Sequence, residues 1–167
     1  YIPQADGMQL RETDGEKIFW GRGNGWFTGA LALVLNHLPK DHPNRAKYEA
    51  RLREQLSALA KLQQPGGLWA TALLDQDGYP MGDTSATALF AYGYAWAIRR
   101  GILDKGTYLP VLLRAWAALI ASVEPNGRLG FAQSQADSTR AYVGWRQSHE
   151  YATGAMLLAG SEILPLL

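Results

Sequence analysis

"TSATALFAYGYAWAI", Thr84 to Ile98, runs for fifteen residues without a charged side chain. A helix that is apolar nearly all round is buried on most sides. The next helical stretch is of another kind. From Tyr108 to Val123, the residues Leu109, Leu112, Leu113, Trp116, Leu119, Ile120 and Val123 recur at helical spacing and make one apolar face. Working outward from this pair, the contrast repeats. Between Gly23 and Pro39 there is again no Asp, Glu, Lys or Arg, and "WFTGALALVLNHL" reads as a second buried helix. Pro43 to Gln64 follows as an amphipathic one. Tyr48, Leu52, Leu56, Leu59 and Leu62 lie on one side, and Arg45, Arg51, Arg53, Glu54 and Lys61 on the rest. Pro43 suits its first turn and Pro65 its stop. A third run of the buried type, "YATGAMLLAGS", spans Tyr151 to Ser161.

The links repeat as well. "QPGGLW" holds Pro65 and "EPNGRLGF" holds Pro125, each with Pro, nearby Gly, then Leu and an aromatic. Each opens a short glycine-rich segment that predicts a hairpin or extended loop. A long helix pair plus a loop, recurring in this way, is a repeat architecture. One buried and one half-exposed helix per repeat suits an all-α, double-layered α/α toroid. An ordinary helical bundle is the plainer alternative.

Composition sets the outer bounds. The chain has 167 residues, 47% hydrophobic and 19% charged, with a net charge of +1. That balance gives no support for a nucleic-acid or anionic-membrane partner. Without cysteine, disulfides, thiolate metal sites and thiol nucleophiles are excluded. The three His are scattered in sequence, so no metal site is expected, and no cofactor is implied. "YIPQADGMQL" does not read as a signal peptide, and the absence of an initiator Met suggests a fragment or a processed chain. The compartment stays open between cytoplasm and periplasm.

In a toroid the inner helices run in one direction, so their N-termini share a rim. The first offers Trp20, Arg22, Asn24 and Trp26; the second Asp83, Thr84 and Ser85; the third Trp145, Gln147, Ser148, His149, Glu150 and Tyr151. Free N–H groups and positive dipole ends favour an anionic ligand there, and Arg binds a carboxylate in bidentate fashion. Asp83 before Thr-Ser is also a good N-cap. Trp69 is divided between packing and lining the site. Trp96 and Trp116 read as core, His37 and His42 as surface. In "FWGRGNGW", Phe19 to Trp26, Arg22 has no evident packing duty.

That stretch resembles the signature of the unsaturated glycuronyl hydrolases of glycoside hydrolase family 105, related to family 88. "LPKDHPNRAKYE", "LQQPGGLW", "LLDQDGYPMGDTSATALFAYGYAWAIRRGILD", "YLPVLLRAWAAL" and "HEYATGAMLLAGSEIL" are similar to it in the same order. The resemblance implies an (α/α)6 barrel, here its C-terminal half, as a single partial domain over 1–167. It also implies oligosaccharides with a 4,5-unsaturated uronic acid at the non-reducing end, products of polysaccharide lyases such as those acting on rhamnogalacturonan. Hydration of the ring double bond then frees the sugar. Arg22 matches the arginine of the family's Arg-Gly-Asn-Gly-Trp motif, which implies a contact with the uronate carboxylate. Trp26 matches its closing tryptophan, which implies stacking on the sugar. Trp20, Asn24, Trp69 and His149 are further candidates for substrate binding. The family's catalytic Asp, and a His that assists binding, are expected upstream of the motif. Asp83 is therefore only a weak candidate for the acid. Two other readings remain: a different α/α-toroid sugar enzyme, or a non-catalytic half-barrel that binds uronate sugars, self-associates or pairs with another chain.

Overall fold

A computed structural model of the chain describes residues 15, 17–135 and 143–167. The N-terminal stretch, with its signal-peptide reading, lies outside them. Five α-helices carry the fold: α1 Gly21–His37, α2 Arg45–Ala60, α3 Thr84–Arg99, α4 Lys105–Ala121 and α5 Glu150–Ile163. A short 3-10 turn, Leu164–Leu166, follows α5.

Charge-free sequence places α3 at the centre. From Thr84 to Ile98 every residue of α3 is buried. It packs between α1 and α5, while α2 and α4 cover the outside. The helix row α1–α3–α5 is parallel, as the ties at each end show. At one end Trp20, Arg22, Asp83 and Tyr151 are joined through a single residue, Gln133. At the other, Arg100 reaches Asn36 of α1 at 2.9 Å and Glu162 of α5 at 3.1 Å. The outer helices keep their apolar stripes inward through Leu52, Leu56 and Leu59 of α2 and Leu112, Ala115 and Leu119 of α4.

The glycines of the first motif have a packing cause. The helix starts at Gly21, so the glycine-rich stretch forms the first turns of α1 rather than a loop ahead of it. A Cβ on Gly21 would stand 2.7 Å from the Ala70 carbonyl oxygen, and one on Gly25 3.0 Å from Leu89 of α3. Close approach, not an unusual dihedral, selects glycine here.

Both Pro-Gly links behave as the sequence predicts. β1, Trp69–Ala70, pairs antiparallel with β2, Gly82–Asp83, in the register Trp69 to Asp83. Val123 bridges Leu129 after the second link. Two expectations need correction. The apolar face assigned to α4 is too wide, since Leu113 and Ile120 are exposed. And neither α1 nor α5 is buried on most sides: Trp26, Phe27, Leu33 and Val34 of α1 are 44–49% exposed, and Leu157 of α5 is 71% exposed. Among the described residues only α3 has an inner-helix neighbour on both flanks.

Candidate functional site

The N-termini of α1, α3 and α5 meet at one end of the row, and the segment 130–134 crosses them. Two contacts clamp that segment onto α3: Thr84 N–H donates to the Phe131 carbonyl at 3.0 Å, and the Thr84 hydroxyl to the Gly130 carbonyl at 2.8 Å. Phe131 itself turns the chain with φ of 54°, a left-handed conformation rare outside glycine.

Arg22 lies in the first turn of α1 and is 4% exposed. Its Nη1 donates to the Gln133 carbonyl at 2.7 Å and to the Tyr151 hydroxyl at 3.0 Å, and its Nη2 to the Ser134 carbonyl at 3.1 Å. The guanidinium stands 4.9 Å from the centroid of Trp20 and 5.0 Å from that of Tyr151. His149, the residue before α5, stacks on Tyr151 at 5.0 Å with the rings 5° apart. The result is a ladder of planar groups, Trp20–Arg22–Tyr151–His149. Cation–π contact steadies a desolvated guanidinium. At the end of the ladder, His149 Nε2 is buried with no hydrogen-bond partner.

Asp83 is fully buried and caps α3. Its carboxylate accepts from Ser85 N–H at 2.9 Å, Ala86 N–H at 3.3 Å, the Ser85 hydroxyl at 2.8 Å, and Gln133 N–H at 3.0 Å. Burial pushes the carboxyl above the ordinary Asp value, while those hydrogen bonds and the charge of Arg22 pull it back. The Tyr151 hydroxyl is raised too, mainly by burial and against the charge of Arg22. With no exposed surface and every oxygen engaged, Asp83 in this structure has a capping and anchoring duty. A general acid needs a path to substrate.

The other candidates separate. Asn24 donates from Nδ2 to the Trp20 carbonyl at 2.9 Å, a local clasp of the first turn. Trp26 is half exposed and takes no part in the ladder. Trp69 is a correction to its reading as a site residue. It has no exposure, its Nε1 donates to the Leu59 carbonyl at 2.8 Å, and it packs on Phe90 and Tyr94. Trp96 is core as expected, while Trp116 is only half-buried, against Gly160. Sequence reasoning missed Gln133, which contacts three of the elements at the rim. No repeat or cap marks it; its only signal is a polar residue following the Pro-Gly link. Among the described residues no group of His, Asp and Glu could hold a metal ion.

The family model for Glycosyl Hydrolase Family 88 matches residues 4–167. An unsaturated 3S-rhamnoglycuronyl hydrolase from Formosa agariphila is 38% identical over 99% of the chain and 44% of its own length. Among solved structures, a family 88 glycosyl hydrolase from Bacteroides vulgatus superposes with a TM-score of 0.89 at 34% identity, covering 95% of this chain and 46% of that one. A possible member of the GH105 family from Salmonella enterica gives 0.80 at 28%, covering 93% and 43%. The chain thus spans less than half the length of each of these relatives.

Proposed function

Since the chain belongs to Glycosyl Hydrolase Family 88, we propose that its protein removes a 4,5-unsaturated uronic acid from the non-reducing end of lyase-generated oligosaccharides. The carrying observation is the 38% identity, over nearly the whole chain, to a hydrolase named for an unsaturated glycuronyl substrate. The reaction adds water across the enol-ether double bond. Protonation at C4 places positive character on C5 and water adds there; the hemiketal opens by breaking C5–O5 to a C5 ketone, and the hemiacetal left at C1 breaks down to an aldehyde, freeing the sugar and an open-chain keto-uronate. One acid that later accepts the proton of water suffices, unlike the paired carboxylates of ordinary glycosidases.

This chain contributes the rim. Arg22 sits at the positive end of α1, so guanidinium and helix N-terminus together supply a field that suits the uronate carboxylate. Trp20 and His149 present the two ends of the planar ladder, and the unengaged Nε2 of His149 offers a polar contact. The acid itself is assigned to residues outside 1–167, in keeping with the enclosed carboxyl of Asp83.

The test is an assay of the full-length protein with an unsaturated uronyl disaccharide, following the ultraviolet absorbance of the ring double bond. Absorbance should fall, and Arg22→Lys should lower kcat/KM about tenfold to a hundredfold, the worth of hydrogen bonds to a charged group. Folded full-length protein that leaves the absorbance unchanged would overturn the proposal. Binding without turnover would favour the non-catalytic reading instead.

A further inference from the structure

We propose that Gln133 is the positioning residue of this site: it holds Trp20, Arg22 and Tyr151 in register with one another. Four hydrogen bonds carry the inference. The Gln133 N–H donates to Asp83 Oδ1 at 3.0 Å. Its carbonyl accepts from Arg22 Nη1 at 2.7 Å and from the Tyr151 hydroxyl. Its side-chain Oε1 accepts from Trp20 Nε1 at 2.7 Å. Gln133 has no exposure, and its bonds to Asp83 and Arg22 are fully buried.

Together the bonds reach three helices: Asp83 caps α3, Trp20 and Arg22 open α1, and Tyr151 lies in the first turn of α5. Three helices that share a rim can still slide along their axes by a fraction of a turn. A residue bonded to all three removes that freedom, and a displacement of about 1 Å in a binding constellation is enough to cost substantial activity. The backbone bonds need only some residue at position 133. The bond to Trp20 needs a side-chain acceptor of the right length, and Gln supplies one without adding charge beside Asp83.

The approach to Gln133 shows that this placement has a cost. Phe131, two residues earlier, holds φ of 54°. A bulky residue is strained in that left-handed region. Its two backbone bonds, from Thr84 N–H and to the Gly144 carbonyl at 3.1 Å, keep it so.

The role of Gln133 rests on the proposed hydrolase reading, but its physical core can be read without turnover. The full-length protein is labelled with 15N-Trp, and the Trp20 indole N–H is assigned by its loss in Trp20→Phe. Gln133→Met keeps length and removes the acceptor. The Trp20 resonance should move and exchange with solvent faster, KM should rise about tenfold for one lost buried hydrogen bond, and kcat should fall less than twofold. Gln133→Glu, which restores an acceptor, should return the Trp20 resonance toward its wild-type position, while its carboxyl beside Asp83 keeps KM above that of wild type. Trp20→Phe removes the same bond from the other side, so adding Gln133→Met to it should raise KM no further. That cycle also serves if the single Gln133→Met protein folds poorly. An unmoved Trp20 resonance in folded Gln133→Met overturns the coupling, whether or not the enzyme turns over. A moved resonance with unchanged KM overturns the positioning role. If wild type leaves the absorbance unchanged, the hydrolase reading fails while the resonance still decides the coupling.

Discussion

Asp83 makes the sharpest prediction because two duties meet on one carboxylate. Replacing it with Ala removes the cap of α3, which costs about 1 kcal/mol. It also strips the buried Gln133 N–H of its acceptor, a penalty of about 1–3 kcal/mol. Together these give about 3 kcal/mol, or roughly 6–12 °C of melting temperature in a domain of this size. Asn caps as well as Asp and keeps one acceptor oxygen, so Asp83→Asn should cost only about 1 kcal/mol. The pH dependence then separates charge from capping. Burial raises the Asp83 carboxyl above its ordinary 3.8, so the folded state binds more protons than the unfolded state in the window just above that value. The native contribution is therefore full below 3.8 and declines as pH rises through the folded value. A protonated form has somewhere to place its hydrogen, since the Ser85 hydroxyl lies 2.8 Å from both oxygens and can accept as well as donate. Urea melts across a pH series should show wild type losing ground to Asp83→Asn as pH rises from about 4. A gap that widens in favour of wild type would refute the reasoning: the hydrogen bonds and Arg22 would then outweigh burial. An Asp83→Ala protein as stable as wild type would refute the anchoring.

Two further outcomes follow from packing. Gly93 of α3 faces Thr28 of α1, and an added Cβ would fall well inside contact distance of Thr28 Cγ2. Gly93→Ala should destabilise by about 1–3 kcal/mol despite its better helix propensity, and Thr28→Ser, which removes that methyl, should recover most of it in thermal melts. Trp69→Phe should cost about 2 kcal/mol, from a lost bond to the Leu59 carbonyl and a small void, while leaving KM for the uronyl disaccharide unchanged; a KM shift would return Trp69 to the binding surface.

The repeat was readable because helix burial writes itself into composition. In α3 the absence of charge from Thr84 to Ile98 is matched by burial on every side, with no exposed residue over that span. Parallel inner helices brought Arg22, Asp83 and Tyr151 together by topology alone, before any distance was known. Individual side-chain duties were less legible. Trp69 and Trp20 are the same residue type beside similar glycines, yet one is sealed in the core and the other ends the ladder. Which way a ring turns depends on its nearest hydrogen-bond acceptor: the Leu59 carbonyl for Trp69 and the Gln133 side chain for Trp20. Both acceptors are distant enough that no local pattern records them. Gln133 itself makes three of the four hydrogen bonds that join it to Asp83, Arg22, Tyr151 and Trp20 through its backbone, which sequence does not individualise.

The charge-free runs carry one more message. They call for burial around the whole helix in α1 and α3 alike, but the structure grants it only to α3. On α1, Trp26, Phe27, Leu33 and Val34 remain 44–49% exposed, and on α5 Leu157 is 71% exposed. A surface helix ordinarily places charge on its open face, and α1 has none there beyond the buried Arg22. Propensity does not explain the choice, since Trp, Phe and Val are poorer helix formers than Lys or Glu. Composition records how many sides of a helix suit contact with protein, and that of α1 suits more sides than α2 and α3 supply among the described residues.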